Sequence, residues 1–85
     1  MGLDITFTKP NHEHVADFRS FHQLNQHMRY SVDRKLSPDD VIKLIIWCAK
    51  LDIHPAVKAD YIRTFATVLS EFDDDCPYMN YHASW

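Results

Sequence analysis

The stretch that decides the fold is Pro55–Phe72, with the sequence PAVKADYIRTFATVLSEF. Its apolar side chains recur at steps of three and four residues, which is the spacing of one face of an α-helix. The residues of this face are Val57, Tyr61, Phe65, Val68 and Phe72. Pro55 suits the first turn of a helix, where the missing N–H would have had no helical partner. The stretch therefore predicts an amphipathic helix that buries one side against other elements.

Length and composition predict one small folded domain covering residues 1–85. The net charge is −3 and the nine Lys and Arg residues form no basic stripe, so we expect no direct contact with nucleic acid. The longest apolar run, Leu44–Ala49, is too short to span a membrane. The first residues contain no signal segment, and the two Cys residues form no disulfide framework. We therefore expect a cytoplasmic protein with reduced thiols.

Both ends of the chain predict β-strands. Leu3, Ile5 and Phe7 alternate with polar residues, which is typical of a half-buried strand. The tail Tyr78–Trp85 is rich in aromatic residues that favour strands. We expect the two strands to pair, in an antiparallel arrangement.

Two further helices are predicted before Pro55. The first runs from about His12 to about Tyr30, with Asn11 as its N-cap. Its apolar set is Val15, Phe18, Phe21, Leu24 and Met28. After a short polar connection, Ser31–Leu36, the run Ser37–Asp40 is a strong start signal for the second helix, which Asp52–Pro55 ends. The sequence thus predicts an α+β fold, with three helices packed on a two-stranded antiparallel sheet made from the N- and C-terminal strands.

Three pieces of the chain resemble a family of small phage and bacterial proteins. Its members begin Met-Gly-Leu-Asp, carry a helix motif of the kind (Tyr/Phe)-(Trp/Phe)-Arg-Lys-x-Asn-x-(Leu/Ile)-His-x-Trp, and end in aromatic residues followed by Ser-Ser-Trp or similar. The matching pieces here are Met1–Asp4, Phe18–His27 and Tyr81–Trp85. Within the motif, His22 and Asn25 exchange the Asn and His of the family pattern. The resemblance implies a phage or prophage context and an α+β fold whose terminal strands pair, and it carries no known activity.

Six His residues raise the question of a metal site. Their spacing matches no HExxH pattern, and the chain has no CxxC pair, so histidines on the surface and at helix caps are the interpretation that we favour. We expect no metal ion and no cofactor. Cys48 lies on a predicted buried face, whereas Cys76 is expected to be exposed, with a thiol made less reactive by the nearby Asp73–Asp75.

A polar cluster is the second candidate site. Its members are Asp4, Arg19, His22, Asn25 and Ser84. If the strands pack on the first helix, Arg19 can reach either Asp4 or the C-terminal carboxylate of Trp85, with His22 and Asn25 alongside. The cluster can then bind an anion or small ligand, or it can lock the two chain ends onto the helix. We favour the structural interpretation.

Function is predicted from the absence of a catalytic pattern, the acidic charge and the phage resemblance. The first hypothesis is a phage-encoded accessory protein that binds and modulates a protein in the cytoplasm of the bacterial host, in one form as an anti-defence (anti-CRISPR-like) inhibitor. Trp47, Tyr78 and Trp85 are the expected aromatic anchors of that contact. The alternatives are a small-ligand or metal-binding protein or enzyme that uses Arg19, His22 and Asn25, and a homodimer that buries its apolar excess in a second copy.

Overall fold

The protein has two layers, a four-stranded antiparallel sheet and three helices packed on one face of it. The computed structural model describes residues 2–85. In chain order the elements are β1 (Asp4–Thr8), β2 (His14–Arg19), α1 (His22–His27), β3 (Asp33–Leu36), α2 (Pro38–Ala49), α3 (Pro55–Ser70) and β4 (Met79–Ser84). The α+β class with three helices is confirmed, whereas the prediction of a two-stranded sheet is wrong because the sheet has four strands. Within residues 2–85, none of the helices combines the length and the apolar character needed to cross a membrane.

The strands from the two ends of the chain lie side by side in the centre of the sheet. The strand order is β2-β1-β4-β3, and each neighbouring pair is antiparallel. Asp4 faces Ser84 and Thr8 faces Asn80, which confirms the predicted pairing of the terminal strands.

The predicted helix from His12 to Tyr30 is wrong, because this segment contains β2, a turn and the short helix α1. The apolar residues of His14–Arg19 fit the two-residue alternation of a strand as well as they fit a helical repeat. In the structure Ala16 and Phe18 are buried, and Asp17 between them is exposed. With β4 on one edge of β1, the backbone groups of the other edge need partners, and β2 supplies them. Tertiary pairing therefore overrides the local helical pattern.

The backbone at both ends of β2 excludes a continuous helix. His12 and Ser20 have positive φ angles of 70° and 56°, a left-handed conformation that breaks a helix. The Ser20 N–H donates to the Leu3 carbonyl at 2.7 Å and so fixes the exit of the strand. Asn11 accepts a hydrogen bond from the Glu13 N–H at 3.0 Å, which shapes the β1–β2 turn instead of capping a helix.

The predicted polar connection Ser31–Leu36 is also wrong, because its last four residues form β3. Leu36 is buried opposite Met79, while the other three residues of the strand are exposed at the edge of the sheet. One buried residue in four gives no readable alternation, so β3 exists because β4 offers a free edge to pair with.

The starts of the second and third helices are confirmed. Ser37 and Asp40 form a capping box, in which the Asp40 N–H donates to Ser37 Oγ at 3.2 Å and the Ser37 N–H donates to the Asp40 carboxylate at 2.9 Å. α3 begins at Pro55, and its N-cap His54 accepts from the Ala56 N–H at 3.1 Å.

The core lies between the sheet and the helices and is dominated by aromatic rings. The ring centroids of Phe18 and Phe65 are 4.7 Å apart, and Phe7 packs edge-on against Phe18 at 5.9 Å. Phe65 and Val68 of α3 are fully buried, as the pattern of the opening stretch predicts, whereas Val57 of the same predicted face is 41% exposed. Asn25 of α1 contacts the inward-facing Tyr81, so all three helices cover the same face of the sheet.

Candidate functional site

The sheet face opposite the helices is uncovered and polar, and we call it the open face. Strand pairing arranges its side chains in three rows. The rows are Arg19, Asp4 and Ser84; then Asp17, Thr6, His82 and Asp33; and then His14, Thr8, Asn80 and Lys35.

Two histidine–carboxylate pairs lie on the open face. His14 Nε2 is 2.9 Å from Asp17 Oδ1, and His82 Nδ1 is 2.8 Å from Asp33 Oδ1. All four side chains are more than half exposed, so water screens each pair and its contribution to stability is below about 1 kcal/mol. In the described part of the chain, no three His, Cys, Asp or Glu side chains are grouped to hold a metal ion.

A depression of about 550 Å³ lies on the open face, between β1, β4, β3 and the turn after β1. Its volume is within the range of roughly 300–1,000 Å³ that small-molecule sites occupy. The basic residue types His12, Lys35 and His82 line it together with the amide of Asn80, and Asp33 is the carboxylate beside them. This chemistry suits a small anion more than a cation.

The predicted polar cluster is brought together only in part. Asp4, Arg19 and Ser84 share one row of the open face, since Asp4 pairs with Arg19 on one side and with Ser84 on the other. His22 is exposed at the start of α1, and Asn25 is buried on the helical side of the sheet. Arg19, His22 and Asn25 therefore do not form the edge of one helix.

Asn25 and Tyr81 form a buried polar pair. The Asn25 Nδ2 donates to Tyr81 Oη at 3.2 Å and, more weakly, to the Ser31 carbonyl at 3.4 Å. Asn25 is 2% exposed and Tyr81 is fully buried. Burial raises the pKa of Tyr81 because the phenolate loses its hydration, so the hydroxyl stays neutral and available to Asn25. This geometry gives Asn25 a role in holding α1 on β4.

Trp47, an expected anchor, is part of a stack of rings. It stacks with Phe21 at 5.8 Å and with His27 at 4.4 Å, measured between ring centroids. Phe21 stacks in turn on Tyr61 at 3.8 Å. The Trp47 side chain is half-buried, and these two stacking contacts cover part of its indole.

Tyr78 and Cys76 lie in the segment between α3 and β4. Tyr78 is half-buried, with the Lys35 ammonium 5.0 Å from its ring centroid. Cys76 was expected to be exposed and this is wrong, because the residue is 2% exposed and its thiol donates to the Tyr78 carbonyl at 3.4 Å. Burial, and then the charge of Asp73, raises the pKa of the Cys76 thiol. Cys48 is buried as expected, and burial raises its pKa too.

Three large apolar side chains are exposed at one end of the sheet, and we call Tyr30, Val32 and Trp85 the aromatic patch. Their exposed fractions are 65%, 49% and 54%. The Ala83 N–H donates to the Val32 carbonyl at 2.8 Å, which continues the β3–β4 pairing toward the end of β4. Tyr30 lies two residues before Val32 in the chain, and Trp85 lies two residues after Ala83. Sequence reasoning found Trp85 but missed Tyr30 and Val32, because it placed them in a helix and a loop, and no alternation in the short segment before Leu36 indicates the strand pairing.

Arginine side chains flank the aromatic patch. Arg29 is exposed directly before Tyr30, and the two residues have positive φ angles of 57° and 58° that turn the chain out of α1. Arg34 is exposed on β3 and its Nη1 donates to Ser31 Oγ at 3.3 Å. The end of the sheet thus combines Trp, Tyr and Arg, the residue types that dominate the energetics of protein interfaces.

Comparisons of this chain with known proteins find no match. A scan of the chain against protein-family models finds no match, and searches of curated proteins and of solved structures find none either. The resemblance to the phage family therefore stays a prediction.

Proposed function

We propose that the protein is a phage-encoded accessory protein that binds a protein of the bacterial host and modulates it without catalysis, with inhibition of a host defence system, in the anti-CRISPR manner, as the specific form. The observation that carries the binding role is the aromatic patch with its two arginines. The phage context is supported only by the resemblance at the chain ends and in Phe18–His27.

The aromatic patch is suited to a protein partner because three large exposed apolar residues lie where β3 begins and β4 ends. Single exposed apolar residues are common on protein surfaces, whereas adjacent large ones mark contact sites. Tyr30 and Trp85 offer rigid rings that lose little side-chain entropy on binding. The hydrogen bond from the Ala83 N–H to the Val32 carbonyl fixes the Val32 backbone against β4, so part of the ordering is complete before a partner arrives.

The flanking arginines define the chemistry of the partner surface. Arg29 and Arg34 are exposed at the rim of the aromatic patch and offer guanidinium donors to carboxylates. We therefore propose a partner with an apolar pocket that accepts Trp85 and with acidic side chains around that pocket.

The test is binding by a double variant of the aromatic patch. The wild-type protein, immobilised, should capture a host protein in stoichiometric amount, and the affinity of the recovered protein is then measured directly. Tyr30→Ala/Trp85→Ala should lower that affinity by at least about 30-fold, since central aromatic contacts are worth roughly 2 kcal/mol or more each. Val57→Ala removes another exposed apolar side chain, on α3, and should bind as the wild type does.

Two results would overturn the proposal. One is a captured host protein that binds the double variant as tightly as the wild type. The other is the absence of any stoichiometric partner in lysates of hosts whose phages encode this chain. Melting temperatures of all variants are compared so that unfolding is not mistaken for lost binding.

A second candidate function is binding of a small anionic ligand, and the depression on the open face favours it. This alternative differs from the predicted ligand site because neither Arg19 of β2 nor His22 and Asn25 of α1 line the depression. Titration with inorganic phosphate and with a nucleoside monophosphate, followed by amide NMR shifts, should perturb residues around Lys35 and His82 first. Lys35→Gln should then weaken binding, and shifts spread evenly over the surface would exclude the site.

A further inference from the structure

The outward side of α2 carries apolar residues that the fold leaves uncovered. Val41, Leu44 and Cys48 bury the inward side of the helix. Ile42 and Ile46, one turn apart on the other side, are 43% and 52% exposed. An amphipathic surface helix normally carries polar residues there, so these two isoleucines need an explanation that the monomer does not supply.

The neighbouring helix extends this apolar surface. The Lys58 Nζ of α3 donates to the Ala49 carbonyl of α2 at 3.2 Å, so the flank of α3 that carries Lys58 faces α2. Ile62, one turn further along that flank, is partly buried. Ala59 and Ala66 lie next to it on the outward side and are exposed. Small residues at these places allow another helix to approach the α2–α3 pair closely.

We propose that this surface, the outer face of α2 together with the adjoining flank of α3, joins two copies of the chain in a twofold-symmetric dimer. In the proposed arrangement the two α2 helices run antiparallel across the axis. Ile42 of one copy packs against Ile46 of the other, and the twofold axis repeats the same contact with the copies exchanged. The proposal is independent of the partner-binding role, because the aromatic patch lies at the end of the sheet and not on this helical surface.

We call the outward side of α2 from Asp39 to Lys50, with Ile42 and Ile46 between them, the stripe. The charges at its two ends identify a second copy of the chain as the occupant. Asp39, Ile46 and Lys50 are spaced by seven and four residues and so lie on one side of α2, and both charged residues are exposed. In an antiparallel pair centred between Ile42 and Ile46, Asp39 of each copy comes within one residue of Lys50 of the other. The two ends of the stripe are therefore complementary, with an acid at one end and a base at the other, and the exposed Lys43 lies beside the isoleucines between them.

The size of the surface predicts the strength of the dimer. Residues 39–50 of α2 extend over about 18 Å at 1.5 Å per residue. One helix of this length, with a flank of α3, covers less than the roughly 800 Å² per partner of a standard interface. We therefore expect a reversible dimer whose population changes with protein concentration.

Sedimentation velocity over about two decades of concentration tests the proposal. The sedimentation coefficient of the wild type should rise with concentration, while Ile46→Glu should remain a monomer throughout. Val57→Glu places the same charge at another exposed apolar position, on the other flank of α3, and should associate like the wild type. A wild type that stays monomeric, or a control that loses association as fully as Ile46→Glu, would refute the dimer.

A charge exchange tests the antiparallel geometry without touching the isoleucines. Asp39→Lys and Lys50→Asp should each weaken association about five- to tenfold, because each variant creates two like-charge contacts in the symmetric dimer. The double variant restores both attractive pairs and should recover association to within about threefold of the wild type. A double variant no better than either single variant would rule out this arrangement.

Discussion

Replacing both members of the buried Asn25–Tyr81 pair should be less damaging than replacing either one. Tyr81→Phe removes the hydroxyl that accepts from Asn25 Nδ2 at 3.2 Å and leaves the buried amide with only the weaker contact to Ser31. Asn25→Leu keeps a side chain of similar size but leaves the Tyr81 hydroxyl buried without its donor. The double variant Asn25→Leu/Tyr81→Phe has neither polar group.

The magnitudes follow from the burial of the two residues. Asn25 is 2% exposed and Tyr81 is fully buried, so a group left without its partner is kept from water. Such a loss lowers the free energy of unfolding by about 1–3 kcal/mol, whereas exchanging both partners for apolar groups is often nearly neutral. For a domain of 60–100 residues, 1 kcal/mol shifts the melting temperature by roughly 4–8 °C. We expect each single variant to fall within this loss and the double variant to lose clearly less than the sum.

Urea unfolding of the four proteins, followed by far-UV circular dichroism, measures the coupling. The difference between the double variant and the sum of the single variants should be at least about 1 kcal/mol, since residues in contact are not additive. Strictly additive losses would show that the Asn25–Tyr81 hydrogen bond does not form. A Tyr81→Phe variant as stable as the wild type would contradict the same reasoning, and partner capture by both single variants checks that the pair is structural.

Three further variants and a thiol reagent test the fold. Ser37→Ala should lower the free energy of unfolding by about 1 kcal/mol through the lost capping box. The Ser37 N–H holds the pKa of Asp40 below its usual value, so the Asp40 carboxylate stabilises the fold above its unfolded pKa and loses this effect as the pH falls through its folded pKa. Asp40→Asn should therefore flatten the acid side of a stability–pH profile measured by thermal melts. Cys48 and Cys76 should react with a thiol reagent at pH 8 only after unfolding in denaturant, since burial shields both and raises their pKa; rapid reaction of the native protein would place a thiol at the surface. Phe65→Ala should lower the urea midpoint by an amount equivalent to about 3–5 kcal/mol, and a loss below about 1 kcal/mol would mean that the ring is not packed against Phe18.

The helices that were predicted from sequence carry their signals locally. Ser37–Asp40 and Pro55 define helix starts within four residues, and the apolar stripe of α3 repeats over four turns. The terminal strand β1 was also readable, because Ile5 and Phe7 alternate with polar residues on an open face. In each case the local sequence is enough to predict the element, without knowledge of a distant partner.

The strands that were missed depend on distant partners. Residues His14–Arg19 satisfy a helical and a strand period together, and the backbone edge of β1 decides between them. Asp33–Leu36 has one buried residue and becomes a strand only against β4, more than 40 residues away. No window of local sequence contains that information.

The same distinction separates the candidate residues. Asn25 donates a hydrogen bond to Tyr81, which lies 56 positions later in the chain. Trp47 stacks with Phe21 and His27, which precede β3 in the sequence, whereas Trp47 follows it. The local sequence around Asn25 or Trp47 does not indicate these contacts. Trp85 was identified as an exposed aromatic from its type alone, but the exposure of Tyr30 follows from the turn after α1, where Arg29 and Tyr30 have positive φ angles.

The positions of the two proposed contact surfaces determine how they can act together. The aromatic patch lies at the end of the sheet, and the stripe of Ile42 and Ile46 faces away from the sheet on the helical layer. A dimer formed through α2 leaves both aromatic patches free, and a twofold axis then presents two identical binding surfaces. A multisubunit partner with two pockets would be held with an avidity above that of one patch. Ile46→Glu would remove this gain while leaving the affinity of a single patch unchanged. Tyr30→Ala/Trp85→Ala would instead lower the affinity of each patch by at least about 30-fold and leave dimerisation intact.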